Sequence, residues 1–282
     1  MTKGICLCGT VQYELAQPLG MMMHCHCSMC RKHHGASFAT FVAAPFAAFR
    51  WIAGADAVAR FQSSEHGVRS YCRQCGSVAP LLMPDAGFAI APAGNLDGDL
   101  GVRPQMHVFV RFKAPWYDIT DSVPQHPANP PEFGGGLGVE RPLVEQRDGI
   151  AEGSCLCGAV AYELSRPLRM YHCHCTRCRR ARSAAHATNV VAKLDDFRFI
   201  RGRDLVAEYK VPEARFFGVA FCTLCGSEAP RVSVERGLVH VPAGTLDTDP
   251  GMRPTAHIYV ASKAPWFEIT GDLPQFDEMM PL

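Results

Sequence analysis

The sequence predicts a mostly β protein built as two tandem copies of one domain, and three observations carry that expectation. The first is an internal repeat. Residues 154 to 180, SCLCGAVAYELSRPLRMYHCHCTRCRR, match residues 5 to 32, ICLCGTVQYELAQPLGMMMHCHCSMCRK, with every cysteine aligned and one residue fewer in the second copy. CRQCGSVAP (72 to 80) pairs with CTLCGSEAP (222 to 230), and RPQMHVFVRFKAPWYDIT (103 to 120) with RPTAHIYVASKAPWFEIT (253 to 270). The second observation is a two-residue period in short stretches, Val11-Gln12-Tyr13-Glu14-Leu15, His107-Val108-Phe109-Val110 and His257-Ile258-Tyr259-Val260, the mark of half-buried strands. The third is a break at 127 to 150, PANPPEFGGGLGVERPLVEQRDGI, whose prolines and glycine triplet defeat helix and strand alike.

The expected organisation is a first domain at 1–126, a linker at 127–150 and a second domain at 151–282. No long stretch repeats its apolar residues at helical spacing, so helix is expected only as short turns in APFAAF and KLDDFRF. The linker is long enough for the copies to pack as a pseudo-symmetric pair within one chain, and a monomer is expected.

Each copy holds seven of the 14 cysteines. Such density suits a disulfide scaffold in a small secreted domain, but this chain is larger, and Met1-Thr2-Lys3-Gly4 leaves no room for a signal peptide before Cys6. A cytoplasmic, reducing location is expected, where clustered thiols serve as metal ligands. Seven divides most simply as four plus three. The outer pairs, Cys6 and Cys8 with Cys72 and Cys75, and in the second copy Cys155 and Cys157 with Cys222 and Cys225, form closed structural sites. Gly76 and Gly226, like Gly9 and Gly158, follow a ligand thiol where a tight knuckle needs positive φ. The triplets, Cys25, Cys27 and Cys30, and Cys173, Cys175 and Cys178, remain. Four zinc ions per chain are expected, although thiolate donors suit iron as well.

What completes each triplet is the open question. In an extended MHCHC stretch Cys25 and Cys27 share one face while His24 and His26 share the other, so neither histidine is well placed as a fourth ligand. His33 and His34 have no counterpart in the second copy, which reads Ala181 and Arg182 there. His107 and His257 occur in both copies and stay candidates as remote ligands. The alternatives are an open or water-filled fourth position and a site closed by one histidine. Three thiolates around Zn(II) give a net charge of about −1, a poor generator of hydroxide but a good acceptor of a further thiolate. The implied chemistry is thiolate attack on a small aldehyde, with Cys25, Cys27 and Cys30 as the reactive centre and Arg31 or Lys32 balancing developing negative charge.

Bulk properties remove other classes. A formal charge of +1 gives no field to draw nucleic acid or an anionic membrane. The sole local basic run, RRARS (179 to 183), is too short to outweigh that, and no apolar stretch could span a bilayer. A non-catalytic reading stays beside the enzymatic one: a zinc-stabilised tandem module binding a protein or a small thiol.

Taken together, Gly4-x-Cys6-x-Cys8-Gly9-x-Val11-x-Tyr13, the triplet CHCSMCRKHHG, the CRQCGS knuckle and the KAPWYDIT ending resemble the glutathione-dependent formaldehyde-activating enzyme family, also called the centromere protein V/Gfa family. The resemblance spans nearly all of both copies. It implies a β-tent fold, a structural zinc on the outer cysteines, a second zinc on the triplet, and a carbon-sulfur lyase activity joining formaldehyde and glutathione into S-hydroxymethylglutathione. The copies diverge after the triplet: Arg31-Lys32-His33-His34 looks like the family pattern, whereas the second copy reads Arg179-Arg180-Ala181-Arg182, and Phe41 becomes Asn189. Both copies are expected to bind metal but different ligands, with family-like activity in the first.

Overall fold

The computed structural model describes residues 1–65, 67–131, 135 and 144–281; of the expected linker, 132–134 and 136–143 lie outside the described residues. Strand makes up 39% of the chain and helix 17%, so the class is mostly β. Gln12–Leu15 buries Tyr13 and Leu15 on one face and pairs antiparallel on both sides, with Thr2–Ile5 and Phe49–Ala53. A second sheet runs in the order Met106–Val108, Met22–Cys25, Ala39–Pro45, Phe88–Pro92, Leu81–Met83, its first pair parallel and the rest antiparallel. A hairpin of Val58–Ser64 and Gly67–Cys72 delivers the knuckle. The second copy repeats the plan with Ile150–Ser154, Ala161–Ser165 and Phe197–Arg201, with a sheet centred on Ala187–Lys193 and Arg169–Cys173, and with Val206–Lys210 against Gly218–Cys222.

Two α-helices go beyond what periodicity predicts: α1 (Ser28–His34) and α2 (Thr176–Arg182), each of seven residues. Two turns are too few for a 3.6-residue pattern to stand out, and helices this short depend on packing. The cysteines start them. The Sγ of Cys27 accepts the Cys30 N–H at 3.3 Å, and that of Cys175 the Cys178 N–H at 3.3 Å. The expected turns are present as single 3₁₀ turns, Phe46–Ala48 and Leu194–Asp196.

The copies are interleaved. Ala114 and Trp116, at the end of the first copy, are buried in the second copy's core among Tyr162, Leu164, Met170, Val190 and Val241. Reciprocally, Ala264, Trp266 and Phe267 are buried with Tyr13, Leu15, Met22, Phe38 and Val42 of the first. Each KAPW segment thus completes the other copy's core. Close approach elsewhere requires glycine: a Cβ on Gly94 would lie 2.2 Å from the Ala184 nitrogen, and one on Gly244 2.4 Å from the Ala36 nitrogen. Lys32 reaches Asp247 at 2.5 Å and donates to the Ser154 carbonyl at 2.7 Å; the equivalent Arg180 meets Asp97 at 2.7 Å. The equivalent hydroxyls of Thr120 and Thr270 touch at 2.6 Å, which places the local two-fold axis between them. Among the described residues no helix is long and apolar enough to cross a membrane.

Candidate metal centres

Cys6 and Cys8 follow the strand Thr2–Ile5, and Cys72 and Cys75 lie at the end of the hairpin, so one cluster ties the start of the domain to its middle. Sulfur separations are 3.4 Å for Cys6–Cys8 and 3.7 Å for Cys8–Cys72, with 3.4 Å for Cys155–Cys157 and 3.9 Å for Cys157–Cys222 in the second copy. Four sulfurs held tetrahedrally at about 2.3 Å from zinc stand about 3.8 Å apart, so both groups fit such an ion. Backbone N–H groups point at the sulfurs, Val11 donating to Cys6 Sγ at 3.2 Å and Val160 to Cys155 Sγ at 3.3 Å. The knuckle glycines have the expected positive φ, 74° at Gly76 and 70° at Gly226. They are also contact points, because a Cβ there would strike Phe221 at 2.6 Å and Tyr71 at 2.2 Å respectively, each an aromatic of the opposite copy.

In the first triplet Cys25 ends a strand, Cys27 caps α1 and Cys30 lies in its first turn, which brings the three sulfurs within 4.8 Å of one another. Hydrogen bonds from Cys25 and Cys30, followed by the charge of Arg69, hold Cys27 well below the usual thiol range, against its burial. The histidines take the opposite face. His24 Nδ1 meets Thr40 Oγ1 at 2.9 Å, His26 Nε2 meets His107 Nδ1 at 2.8 Å, and His107 Nε2 meets Asp121 at 3.0 Å. Both nitrogens of His107 are therefore engaged away from sulfur. Burial keeps His24 well below its ordinary pKa and pushes His26 down to about 3, so both rings are neutral props behind the site. His34 Nδ1 meets the Arg182 carbonyl at 2.8 Å. Among the described residues, no histidine or carboxylate joins either group of three.

Met23, Met29, Phe41, Met106 and Phe109 pack on the first triplet, and the guanidinium groups of Arg69 and Arg31 lie near it. Arg69, on the strand Gly67–Cys72, donates to Cys30 Sγ at 3.3 Å, and the Cys30 charge above all raises its pKa further, so the guanidinium stays charged. Arg31 is buried; that burial lowers its pKa while the charges of Cys27 and Asp247 raise it. Lys32 points into the second copy.

The second triplet opens onto a cavity of about 680 Å³. Cys173, Cys175 and Cys178 form one wall, and Arg182, Asn189, Glu228, Arg231, Arg236 and His240 line much of the rest. Hydrogen bonds from Cys173 and Cys178 bring Cys175 down to about 3. Val219 stands where the first copy has Arg69, since Val219 pairs with Tyr209 as Arg69 pairs with Phe61. Arg182 forms a buried ion pair with Glu228 and donates to Asn189 Oδ1 at 3.1 Å. Burial outweighs that pairing and lifts Glu228 to about 7, and its Oε1 has no hydrogen-bond partner. The RRARS run is accordingly no free basic patch, as Arg180 and Arg182 are both paired.

Arg69, Glu228, Arg231, Arg236 and His240 are the site residues that sequence reasoning missed. Their signal was available in the repeat itself: the equivalent positions carry Val219 in the second copy and Val78, Leu81, Ala86 and Ile90 in the first.

The family described as glutathione-dependent formaldehyde-activating enzyme matches residues 1–112 and, separately, 150–262. A Halomonas elongata protein provisionally named a glutathione-dependent formaldehyde-activating enzyme is 26% identical over 127 residues, 42% of this chain and 81% of its own length. A crystal structure of a Rhodobacter sphaeroides protein aligns at 27% identity over 36% of this chain and 97% of its own, with a TM-score of 0.28.

Proposed function

Because the chain belongs, in both of its halves, to the glutathione-dependent formaldehyde-activating enzyme family, we propose that it joins a small thiol to a small aldehyde, with glutathione and formaldehyde giving S-hydroxymethylglutathione. The reaction is of the carbon-sulfur lyase class: a sulfur–carbon bond forms, the carbonyl π bond opens, and the thiol proton passes to oxygen. In this reading the outer cysteines hold structural zinc within a β-tent fold, the triplets hold zinc with the fourth position free, and the protein works as a monomer in the reducing cytoplasm. Bound at a triplet, zinc would supply a soft cation that lowers the pKa of an incoming thiol. The chain's own part is charge and shape. In the first copy Cys25, Cys27 and Cys30 present the sulfurs, Arg69 offsets their charge from Cys30, and Arg31 lies close to Cys27. The buried histidines hold the strand that carries Cys25.

The observation that carries this reading is a three-sulfur group with no fourth protein donor among the described residues, found in both copies. X-ray absorption of the zinc-loaded protein tests it. Added glutathione should raise the mean sulfur coordination at the triplets, and an unchanged spectrum at saturating thiol would overturn the proposal. A second reading has its own support at the first triplet, where apolar packing and Arg69 enclose the sulfurs: that metal would then be structural and the module non-catalytic there. Thiol binding confined to the second copy would favour it.

A further inference from the structure

The cavity beside the second triplet carries charged side chains that the equivalent positions of the first copy lack. Phe216 gathers three guanidinium groups on its wall: Arg215 lies over its ring at 4.7 Å, Arg236 over the ring at 5.2 Å, and Arg231 donates to its carbonyl at 3.0 Å. Among the described residues Glu228 is the one carboxylate lining the cavity, and it pairs with Arg182. Among the described residues no acid pairs with Arg215, Arg231 or Arg236. Like charges gathered around a concave, partly apolar wall repel one another and raise the local concentration of anions. His240 faces the same space with its Nδ1 buried and unpartnered, and burial together with Arg236 and Arg231 keeps the ring neutral.

In the first copy Leu81, Ala86 and Ile90 occupy the positions of Arg231, Arg236 and His240. The cavity volume, about 680 Å³, lies within the range that encloses a ligand of peptide or drug size. Sulfur donors on one wall and cations on another define a ligand with two ends.

Building on the thiol-binding reading above, we propose that the second copy selects a thiol carrying a carboxylate, its sulfur directed to Cys173, Cys175 and Cys178 and its carboxylate to Arg231 and Arg236. A bidentate arginine–carboxylate contact fixes such a ligand more strongly than a neutral one. Leu81 and Ala86 stand at the positions of these two arginines in the first copy, so the selection belongs to the second.

Isothermal titration calorimetry on the zinc-loaded full chain tests this with two probes of equal length, 3-mercaptopropionate and 3-mercaptopropionamide. The acid should bind at least about tenfold more tightly than the amide, and its affinity alone should fall as sodium chloride is raised. Arg231→Met combined with Arg236→Met should bring the acid to the level of the amide and leave the amide unchanged. A matched change at the remote, exposed Arg103 should leave the discrimination intact. Equal binding of acid and amide to the parent, or discrimination that survives the double substitution, would overturn the proposal while leaving the thiol reading in place. Failure of both probes to bind would remove the thiol reading and this inference with it.

Discussion

Around the first triplet lie Met23, Phe41, Met106 and Phe109, the guanidinium of Arg69 donates to Cys30, and Arg31 lies close to Cys27. Around the second lie Arg182, Arg231, Arg236, Glu228 and His240, with Val219 where Arg69 would be and open space beside the sulfurs. The sulfur frame and the strand–cap–helix geometry that builds it are the same in both. A duplicated frame therefore separates two requirements: the cysteine spacing sets which metal can be held, and the side chains facing it decide what can approach. The two KAPW segments act as hooks, each packed into the other copy's core, so the two copies are expected to fold as one unit.

Breaking a four-cysteine site should have the largest effect on that unit. Structural zinc in small domains contributes about 10–16 kcal/mol, as much as the whole stability of most domains. Cys75→Ser and Cys225→Ser should each unfold the protein at 25 °C. Because each copy lends its tryptophan to the other, far-UV circular dichroism should show both copies lost in either variant. A surviving transition worth half the signal would show that the copies fold independently.

The next effect separates the copies by distance along the chain. Trp116→Ala removes a buried indole from the second copy's core and should cost about 3–5 kcal/mol, although Trp116 belongs to the first repeat. Hydrogen exchange should report it as lost protection in Ala161–Ser165 and Ala187–Lys193, and Trp266→Ala as lost protection in Gln12–Leu15 and Ala39–Pro45. Protection lost within the mutated residue's own repeat would contradict the exchange of hooks.

The repeat, the four-plus-three division and the knuckle glycines were legible because each leaves a local mark: identical spacing, paired thiols, a glycine after a ligand. The family was legible from the same marks. Helices α1 and α2 were not, since two turns give too short a pattern and the capping group is a cysteine already assigned to metal. The hooks were hidden for a different reason. KAPW reads alike in both copies, and nothing in a symmetric pair of sequences says which core each tryptophan enters. Arg69 and Glu228 leave no mark in what the copies share, because both lie where the copies differ. The Phe41 to Asn189 change pointed in that direction, and Asn189 does line the second cavity.

Glu228, where the first copy has Val78, makes stability depend on pH in one copy only. Its pKa is raised from 4.5 to about 7 by burial, so between those values the folded protein holds a proton that the unfolded chain has released. The stabilisation is complete below the unfolded value and is lost as pH rises through about 7, a decline of about 3 kcal/mol at most for this group. Urea denaturation of the parent and Glu228→Gln at pH 5.5 and pH 8 should show a smaller fall for the variant. Equal falls would mean that Arg182 keeps Glu228 ionised throughout.

The smallest expected effect addresses the comparison most directly, by exchanging the residue that distinguishes the triplets. Arg69→Val gives the first site the second's wall, and Val219→Arg does the reverse. A hydrogen bond to a charged partner contributes about 1.5–3 kcal/mol, so losing the Arg69 contact should loosen the first triplet's metal by about tenfold or more in release to a chromophoric chelator. The outer sites serve as an internal reference, since neither substitution touches them. Val219→Arg places a cation beside Cys178 and should slow release from the second triplet, while filling part of the cavity and weakening the binding of 3-mercaptopropionate. If release rates in the two single variants match the parent, the guanidinium is a bystander, and the difference between the sites must come from the apolar wall of Met23, Phe41, Met106 and Phe109. Phe41→Asn, which imports the second copy's residue, would then be the change that moves the first triplet toward the second.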